Sequence, residues 1–304
     1  MMNADNKYIR FDWAVKRMLR DKANFGVLEG LITVLLNEPV HIVELLESEG
    51  NQDTVDDKFN RVDIKAKNDR GEIFLVEVQL SREVHYLERI LYGTAKAITE
   101  HIHLGNSYGE IKKVYSISIV YFDLGKGADY LYHGRNTFIG VHTGDTLKIS
   151  DKEKNGVIRM RAPEDVFPEY FIIRVNEFNE VAKTPLEEWL DYLKNGHIKD
   201  DTQAPGLQEA REKLQYMMLD SAARHAYDEH LNAMMIQNDV LSSNRAEAFA
   251  EGLEKGEAKG RAEGRAEGVK EEKLSIARSL KQMGMTDSDI AKATGLSAEE
   301  IAAL

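Results

Sequence analysis

Residues 61–80, RVDIKAKNDRGEIFLVEVQL, limit the fold more narrowly than any other stretch of the sequence. Apolar and polar residues alternate on both sides of a turn that contains glycine, which predicts a β-hairpin. A three-residue loop at 69–71, with Gly71 in the left-handed conformation, fits the turn chemistry. Counted back from that loop, the register sets Asp63 opposite Glu77, whereas a two-residue loop would put the two acids on opposite faces.

In the preferred register the two faces of the hairpin differ in character. The apolar face carries Val62, Ile64, Ala66, Phe74, Val76, Val78 and Leu80. The other face carries Asp63, Lys65, Lys67, Ile73, Leu75, Glu77 and Gln79. Opposed residues have Cβ atoms roughly 4.5–5.5 Å apart, so two carboxylates there repel each other unless something neutralises them. Either a hard cation such as Mg²⁺ does so, or the acids are solvated on an exposed sheet surface and balanced by lysine.

The composition narrows the functional classes. The chain has 304 residues, enough for one or two domains. It has no cysteine, which excludes disulfides, thiolate zinc sites and a cysteine nucleophile. Its net charge of −12 means that contact with nucleic acid requires a local basic patch or a bound cation. We expect no membrane span, because no run of about 18 apolar residues occurs, and a cytoplasmic location, because the polar N-terminus lacks a secretion signal.

The predicted elements alternate between helices and strands. Two helices are predicted in residues 8–36, a strand from Val40, a long helix at 84–103 and a β-branched strand at 113–122. Further strands are predicted in YHGRNTFIGVH and PEYFIIRVNEF, and the chain becomes helical from Pro185. We therefore predict an α/β fold of the α+β type, in which helices flank a mixed central sheet, followed by an all-α C-terminal extension.

The C-terminal part carries a repeat of its own. Glycines recur every four residues from Gly252 to Gly268, which predicts either a self-associating helical stalk or a flexible linker. Thr286 and Ser297, each followed three residues later by an acid, are helix N-cap candidates, so the tail resembles a helix-turn-helix. Because residues 281–304 carry more acids than lysines, we favour a packing or protein-contact module over a DNA reader.

The ordered motifs resemble the PD-(D/E)XK nuclease superfamily, and within it the Rpn family of recombination-promoting, transposase-like nucleases. FDWAVKRML resembles the opening helix of that family, VDIKAKNDRGEIFLVEVQ its D…E-x-Q hairpin, YLERILYGTAKAI the helix that follows and VYSISIVYF the next strand. EEWLDYLKN, the EKG/AEG repeat and the LSAEEI tail are also similar. The resemblance implies a restriction-endonuclease-like core of helix, three antiparallel strands, helix and strand.

The resemblance also implies cleavage of DNA phosphodiester bonds, with Mg²⁺ or Mn²⁺ as the cofactor. Asp63 and Glu77 would then be metal ligands, and Gln79 stands where the superfamily usually has lysine. A glutamine amide can orient a water molecule but brings no positive charge. We predict that Lys65, on the same face of the hairpin, supplies that charge as a further catalytic residue.

The superfamily also places an acid of the first helix near the metal. Glu29, which interrupts an apolar run, and Asp12 are the candidates, and we name Glu29 as the third metal ligand. Each could instead be a helix-surface acid, with Asp12 paired to Lys16. Arg89 and Tyr92 share one helix face and are predicted to contact DNA phosphate together. A basic set near the N-terminus is either a DNA-backbone contact or a solvated helix face, and it comprises Lys7, Arg10, Lys16, Arg17 and Arg20.

Together these features predict a Mg²⁺-dependent DNA endonuclease with a role in recombination or transposition. The alternative is a nuclease fold with a degenerate metal site that acts as a DNA- or protein-binding oligomer. Homo-oligomerisation is expected through the C-terminal helices. The predicted domains are a nuclease-like domain at 1–184, a helical region at 185–244, a glycine-repeat helix or linker at 245–273 and a helix-turn-helix-like tail at 274–304.

Overall fold

The computed structural model of the chain describes residues 8–47, 62–102, 107–152 and 158–304. Its α-helices are α1 (Phe11–Arg17), α2 (Phe25–Leu36), α3 (Tyr86–Glu100), α4 (Pro185–Asn195), α5 (Leu207–Lys213), α6 (Ser221–Gln282), α7 (Asp287–Thr294) and α8 (Ala298–Ala302). Its strands are β1 (Ile42–Leu46), β2 (Ile64–Asn68), β3 (Ile73–Gln79), β4 (Val114–Val120), β5 (Leu131–Gly134), β6 (Ile149–Lys152), β7 (Ile158–Arg161) and β8 (Glu169–Arg174). None of the helices in these ranges is both long enough and apolar enough to cross a membrane. The chain divides into two units, Met1–Tyr227 and Asp228–Leu304.

The first unit is built on a mixed sheet with the strand order β1-β2-β3-β4-β8-β5. Strands β1, β2 and β3 are antiparallel neighbours, whereas β4 runs parallel to both β3 and β8. Because α3 connects two parallel neighbours, β3 and β4, it crosses over one face of the sheet. The order of helix, three antiparallel strands, helix and strand is the predicted one, and the predicted α/β fold is confirmed.

The hairpin of β2 and β3 has the predicted turn. Gly71 has a φ of 77°, in the left-handed region, and its N–H donates to the Asn68 carbonyl at 3.0 Å. Ile64 pairs with Val76, where the pairing of β2 with β3 ends, and Asp63 lies in a bend just before β2. The predicted register is confirmed from Ile64 to Lys67. Val62, predicted on the apolar face, packs instead with Ile73 and Leu75 on the α3 side, because the strand alternation ends at the bend before β2.

Both faces of this hairpin are covered. Phe74 and Val76, on the predicted apolar face, are fully buried. On the opposite face, Ile73 and Leu75 pack against Ala97 of α3. The face that carries the acids is therefore covered in part by α3 and is not an open sheet surface.

Aromatic packing fixes α1 against the helices that follow the sheet. The Phe11 ring meets Trp189 and Tyr192 of α4 edge-on, with centroids 5.8 and 6.4 Å apart. The start of α4 is set by a capping box between Thr184 and Glu187, with proline at the first helical position. This packing determines where the basic residues at the end of α1 lie.

In the second unit, the tail has the predicted helix starts. The Thr286 side chain accepts the Asp289 N–H, and Ser297 accepts the Glu300 N–H in a capping box. A small apolar cluster holds the end of α6, α7 and α8 together, and its buried members are Ala277, Ile290, Leu296 and Ile301. The glycine repeat is helical, because it lies within α6, while the predicted domain boundaries stay a prediction.

Candidate active site

The two hairpin acids meet at the end of β3. Glu77 and Gln79 point to the face that α3 covers, because Ile73 and Leu75 of the same strand contact α3 and side chains alternate. Asp63 lies just before β2, and its side chain is 19% exposed. One carboxylate oxygen of Asp63, Oδ2, accepts the Val78 N–H at 2.7 Å. This backbone hydrogen bond holds the Asp63 carboxylate against β3.

Two basic residues from α1 and the turn after it surround Asp63. The Lys16 ammonium lies 4.0 Å from Asp63 Oδ1, and the Arg20 guanidinium donates to the Asp63 carbonyl at 3.1 Å. The Lys16 side chain is 48% exposed, so its charge remains accessible from solvent. Lys16 and Arg20 thus form a local positive patch beside Asp63 in an otherwise acidic chain.

Glu77 is in a different environment, because it is only 8% exposed. Arg89 of α3 forms ion pairs with both Glu77 and Glu83. Burial nevertheless raises the pKa of the Glu77 carboxyl to about 7, since the nearby Asp63 and Glu83 charges add to the effect of burial and offset the attraction of Arg89. The alternative in which Glu77 is solvated on an exposed surface is therefore wrong.

Two hydroxyl groups that the sequence analysis missed lie beside Glu77. Ser118 of β4 is the strand partner of Glu77, and Tyr86 is the first residue of α3. Both are buried, and among the described residues neither hydroxyl has a hydrogen-bond partner. Serine alternates with isoleucine in VYSISIV, so the sequence did mark Ser118 as a polar position in an apolar strand. No sequence signal distinguished Tyr86.

The structure does not bring the Lys65 ammonium to the two acids. Lys65 is buried and donates to Glu100 Oε2 at 2.5 Å, near the C-terminal end of α3. Arg89, which contacts Glu77, precedes Glu100 by eleven residues in the sequence. At about 1.5 Å per residue, the two positions are roughly 16 Å apart along the helix. We therefore leave Lys65 out of the proposed catalytic set.

Glu29 also lies away from the two acids. Its carboxylate accepts the Ile42 N–H at 2.7 Å and contacts the His41 ring at 2.9 Å. Ile42 pairs with Asn68, which is five residues beyond Asp63 on the hairpin. At about 3.3 Å per residue, Glu29 is placed roughly 16 Å from Asp63, and we do not retain it among the proposed metal ligands.

Asp12 is not a surface acid, because it is 1% exposed. It accepts the Arg10 Nε–H at 2.9 Å, and the Arg10 guanidinium lies 5.2 Å from the centre of the Tyr121 ring. The Tyr121 N–H in turn donates to the Gln79 carbonyl. Of the two candidate acids, Asp12 of α1 and Glu29 of α2, Asp12 is therefore the one at the same end of the sheet as the hairpin acids.

The predicted DNA-contact residues divide into two groups. Lys16 and Arg89 reach the hairpin acids, whereas the Arg17 guanidinium lies 5.3 Å from the centre of the Trp13 ring. Tyr92 is half-buried, one turn beyond Arg89 on α3. Lys7 lies outside the described residues. Two of the predicted DNA contacts, Lys16 and Arg89, therefore lie at Asp63 and Glu77.

The donor set at this site fits a hard divalent cation with few protein ligands. Two carboxylates and a carboxamide offer oxygen atoms, and Mg²⁺ prefers one or two carboxylates with several retained waters. In the ranges that the structure describes, no group of three or more metal-ligating side chains occurs, so an all-protein cage is not formed there. The buried hydroxyls of Tyr86 and Ser118, which lack a well-formed hydrogen bond, are two further hydrogen-bonding groups beside Glu77.

Two family models match the chain. Residues 9–153 match the model described as PD-(D/E)XK nuclease family transposase, and residues 270–304 match the C-terminal helix-turn-helix domain of the Rpn/YhgA-like nuclease family. The second match favours DNA binding by the tail, against our preference for a packing module. Searches of curated proteins and of solved structures found no match. Because the two models occur in the family's order and cover more than half of the chain, on a fold of the expected kind, this protein belongs to the Rpn family of PD-(D/E)XK transposase-like nucleases.

Proposed function

We propose that the protein is a Mg²⁺-dependent endonuclease that hydrolyses phosphodiester bonds in DNA. Asp63 and Glu77 are the proposed metal ligands, Gln79 the residue that orients the attacking water, and Lys16 and Arg89 the contacts to DNA phosphate. Mn²⁺ is expected to substitute for Mg²⁺, since it takes the same oxygen ligands. A role in recombination or transposition is the biological setting that we propose for this activity.

The observation that carries the proposal is the buried Glu77 carboxylate with the charge of Asp63 close enough to act on it. Glu77 has an unusual pKa of about 7, and its causes are burial and the charges of Asp63 and Glu83, against Arg89. Strongly perturbed carboxylates with specific charged neighbours are typical of functional sites. Two carboxylates this close repel each other and destabilise the metal-free fold, and a bound cation would remove that repulsion.

Each residue of the site has a chemical task in this proposal. A bound Mg²⁺ would supply Lewis-acid stabilisation of phosphoryl charge and a water of lowered pKa. The Gln79 carboxamide can donate a hydrogen bond to that water or accept one from it, but it cannot act as a base near neutral pH. Arg89, once released from Glu77, offers a planar guanidinium that suits bidentate contact with phosphate. Lys16, half-exposed beside Asp63, provides a further positive charge for the DNA backbone.

The C-terminal unit is proposed to bring DNA and a second copy of the chain together. The helix-turn-helix match supports DNA contact by the tail. Cβ atoms added at Gly252 and Gly268 would meet nothing within 4 Å, so the glycine stripe of α6 has room for a neighbouring helix. We propose self-association through this stripe, which light scattering on the full chain would detect as a mass above 34.4 kDa.

A second candidate function remains, in which the fold binds DNA or protein without cleaving it. Two observations favour this alternative. Gln79 brings no charge to the site, and Arg89 already neutralises Glu77 in the described conformation. The two functions differ in whether Asp63 is needed for a metal-dependent reaction.

Plasmid cleavage separates the two candidates. Supercoiled DNA should be nicked or linearised by the wild type with Mg²⁺ and remain intact with EDTA. Asp63→Ala should lose the activity, whereas the matched control Asp69→Ala, which removes an exposed acid at the turn of the same hairpin, should retain it. Equal cleavage by wild type and Asp63→Ala would reject the proposed site, and intact plasmid in all lanes would favour the binding protein.

A further inference from the structure

Four polar side chains converge between the sheet and α3. Glu77 and Ser118 are partners in the parallel pairing of β3 and β4, so their side chains leave the sheet on the same face. Tyr86 packs on Val120, which follows Ser118 by two residues and therefore shares its face. Arg89, one turn beyond Tyr86, forms the ion pair with Glu77. The side chains of Tyr86 and Ser118 are thus buried next to Glu77, between the sheet and α3.

In the described conformation these two hydroxyls are buried beside each other, and neither makes a well-formed hydrogen bond. Tyr86 is 3% and Ser118 1% exposed, and within the described ranges neither oxygen meets hydrogen-bond geometry with any partner. The Tyr86 hydroxyl nevertheless lies close to both Glu77 and Ser118: burial and then the Glu77 charge raise the pKa of Tyr86, and a hydrogen bond with the Ser118 hydroxyl, outside ideal geometry, lowers it. Buried polar groups in native proteins are nearly always paired, and an exception calls for a missing water, ion or second conformation.

Glu77 supplies such a second conformation. Its carboxylate is turned to Arg89 here, and a carboxylate that ligates a cation is no longer available to a guanidinium in the same way. Ligating carboxylates are themselves held by hydrogen bonds from outer groups, which orient them and tune their affinity for the ion. Hydroxyls can donate to carboxylate oxygens, and those of Tyr86 and Ser118 are the buried donors beside Glu77.

We propose that Tyr86 and Ser118 are positioning residues, whose hydroxyls hydrogen-bond the Glu77 carboxylate in the orientation that binds a divalent cation after it leaves Arg89. The inference rests on the proposed function, since it assumes that Glu77 is a metal ligand. It assigns the two hydroxyls to the metal-bound state, in which they gain partners. In the metal-free state they have at best an imperfect hydrogen bond with each other, so the cost of burying them falls on that state.

This assignment makes a prediction that a purely structural role does not. Removing a hydroxyl should weaken metal binding, because mutation of such outer groups typically costs about 10–100-fold in affinity. The same change should leave the metal-free protein as stable as the wild type or more so, since an unpartnered polar atom is removed. A hydroxyl that served folding would show the opposite pattern.

The test is a titration of the full chain with Mn²⁺ in the absence of DNA, followed by electron paramagnetic resonance of the free ion. The variants are Tyr86→Phe and Ser118→Ala. The matched controls are Tyr170→Phe, which packs on the same cluster, and Ser116→Ala, which is buried on the same strand and face. Thermal unfolding in EDTA is measured for every variant.

We expect about a tenfold weaker Kd for Mn²⁺ in Tyr86→Phe and in Ser118→Ala, with the melting temperature in EDTA unchanged or raised. The controls should bind Mn²⁺ within about twofold of the wild type. Wild-type affinity in both target variants would overturn the inference while leaving the proposed metal site intact. A lowered melting temperature in EDTA for Tyr86→Phe would also overturn it. Absence of Mn²⁺ binding by the wild type itself would instead reject the proposed function and this inference with it.

Discussion

Replacement of Glu77 by glutamine should change how the stability of the metal-free protein depends on pH. Burial raises the pKa of Glu77 from 4.5 to about 7, with Arg89 acting in the opposite direction. Folding therefore favours the protonated carboxyl. The stability that results is fully present below about pH 4.5 and is lost as the pH rises through about 7. Glutamine has no proton to lose, so the variant escapes this loss.

The size of the effect follows from the rise in pKa. A change from 4.5 to about 7 corresponds to roughly 3 kcal/mol, at about 1.4 kcal/mol per pH unit. The free energy of unfolding of Glu77→Gln, relative to the wild type, should therefore increase by up to about 3 kcal/mol between pH 4.5 and pH 8.5. Arg89 retains Glu83 as a partner in the variant, which limits the cost of removing the Glu77 charge.

Urea unfolding in EDTA, followed by tryptophan fluorescence, is the appropriate assay. The two tryptophans, Trp13 and Trp189, are both buried in the unit that carries the site, so their emission reports that unit. Glu88→Gln is the matched control on α3, because the Glu88 side chain is 71% exposed and its charge stays in water. A difference between Glu77→Gln and wild type that is constant or shrinks as the pH rises would refute the reasoning, since Arg89 would then outweigh burial.

Three further predictions concern the metal and the packing. Mn²⁺ affinity should rise by up to about tenfold per pH unit between pH 5 and pH 7, because ligation releases the Glu77 proton; a flat calorimetric profile would contradict this. Gly30→Ala should lower the free energy of unfolding of the first unit, measured in urea, by about 3 kcal/mol, since the new Cβ would lie 2.3 Å from the Gly206 Cα. The control Gly252→Ala should leave that free energy unchanged, because a Cβ there meets nothing within 4 Å. Arg174→Met should cost about 3 kcal/mol and expose the loop after β4 to proteases, because buried Arg174 donates to the carbonyls of residues 125, 127 and 129.

The hairpin was predictable because its determinants are local. The left-handed Gly71 selects the loop, and the alternation of apolar residues selects the face, so the register of β2 against β3 follows from twenty consecutive residues. The helix starts at Thr286 and Ser297 were predictable for the same reason, since a cap needs only three residues of context.

The partners of the charged groups were not predictable from the same pattern. Lys65 shares a face with the acids, but its ammonium meets Glu100, thirty-five residues away in sequence. Glu29 is used to bind a backbone N–H at the start of β1. Such pairings depend on how α3 and β1 pack on the hairpin, and alternation along one strand carries no information about the neighbouring element.

The same limit explains the residues that were missed. Ser118 was visible as a polar position, yet its place beside Glu77 depends on the parallel register of β3 and β4 across the α3 connection. Tyr86 reads as an ordinary apolar residue of an amphipathic helix, and its burial beside a carboxylate emerges only when that helix covers the sheet.

A crystal of the full chain soaked in Mn²⁺ and measured at the manganese absorption edge tests the central claim most directly. The account predicts one anomalous peak within about 2.5 Å of a carboxylate oxygen of Asp63 and of Glu77, with the Arg89 guanidinium turned away from Glu77. No peak between these two carboxylates, with the Glu77–Arg89 ion pair still in place, would contradict the proposed metal site.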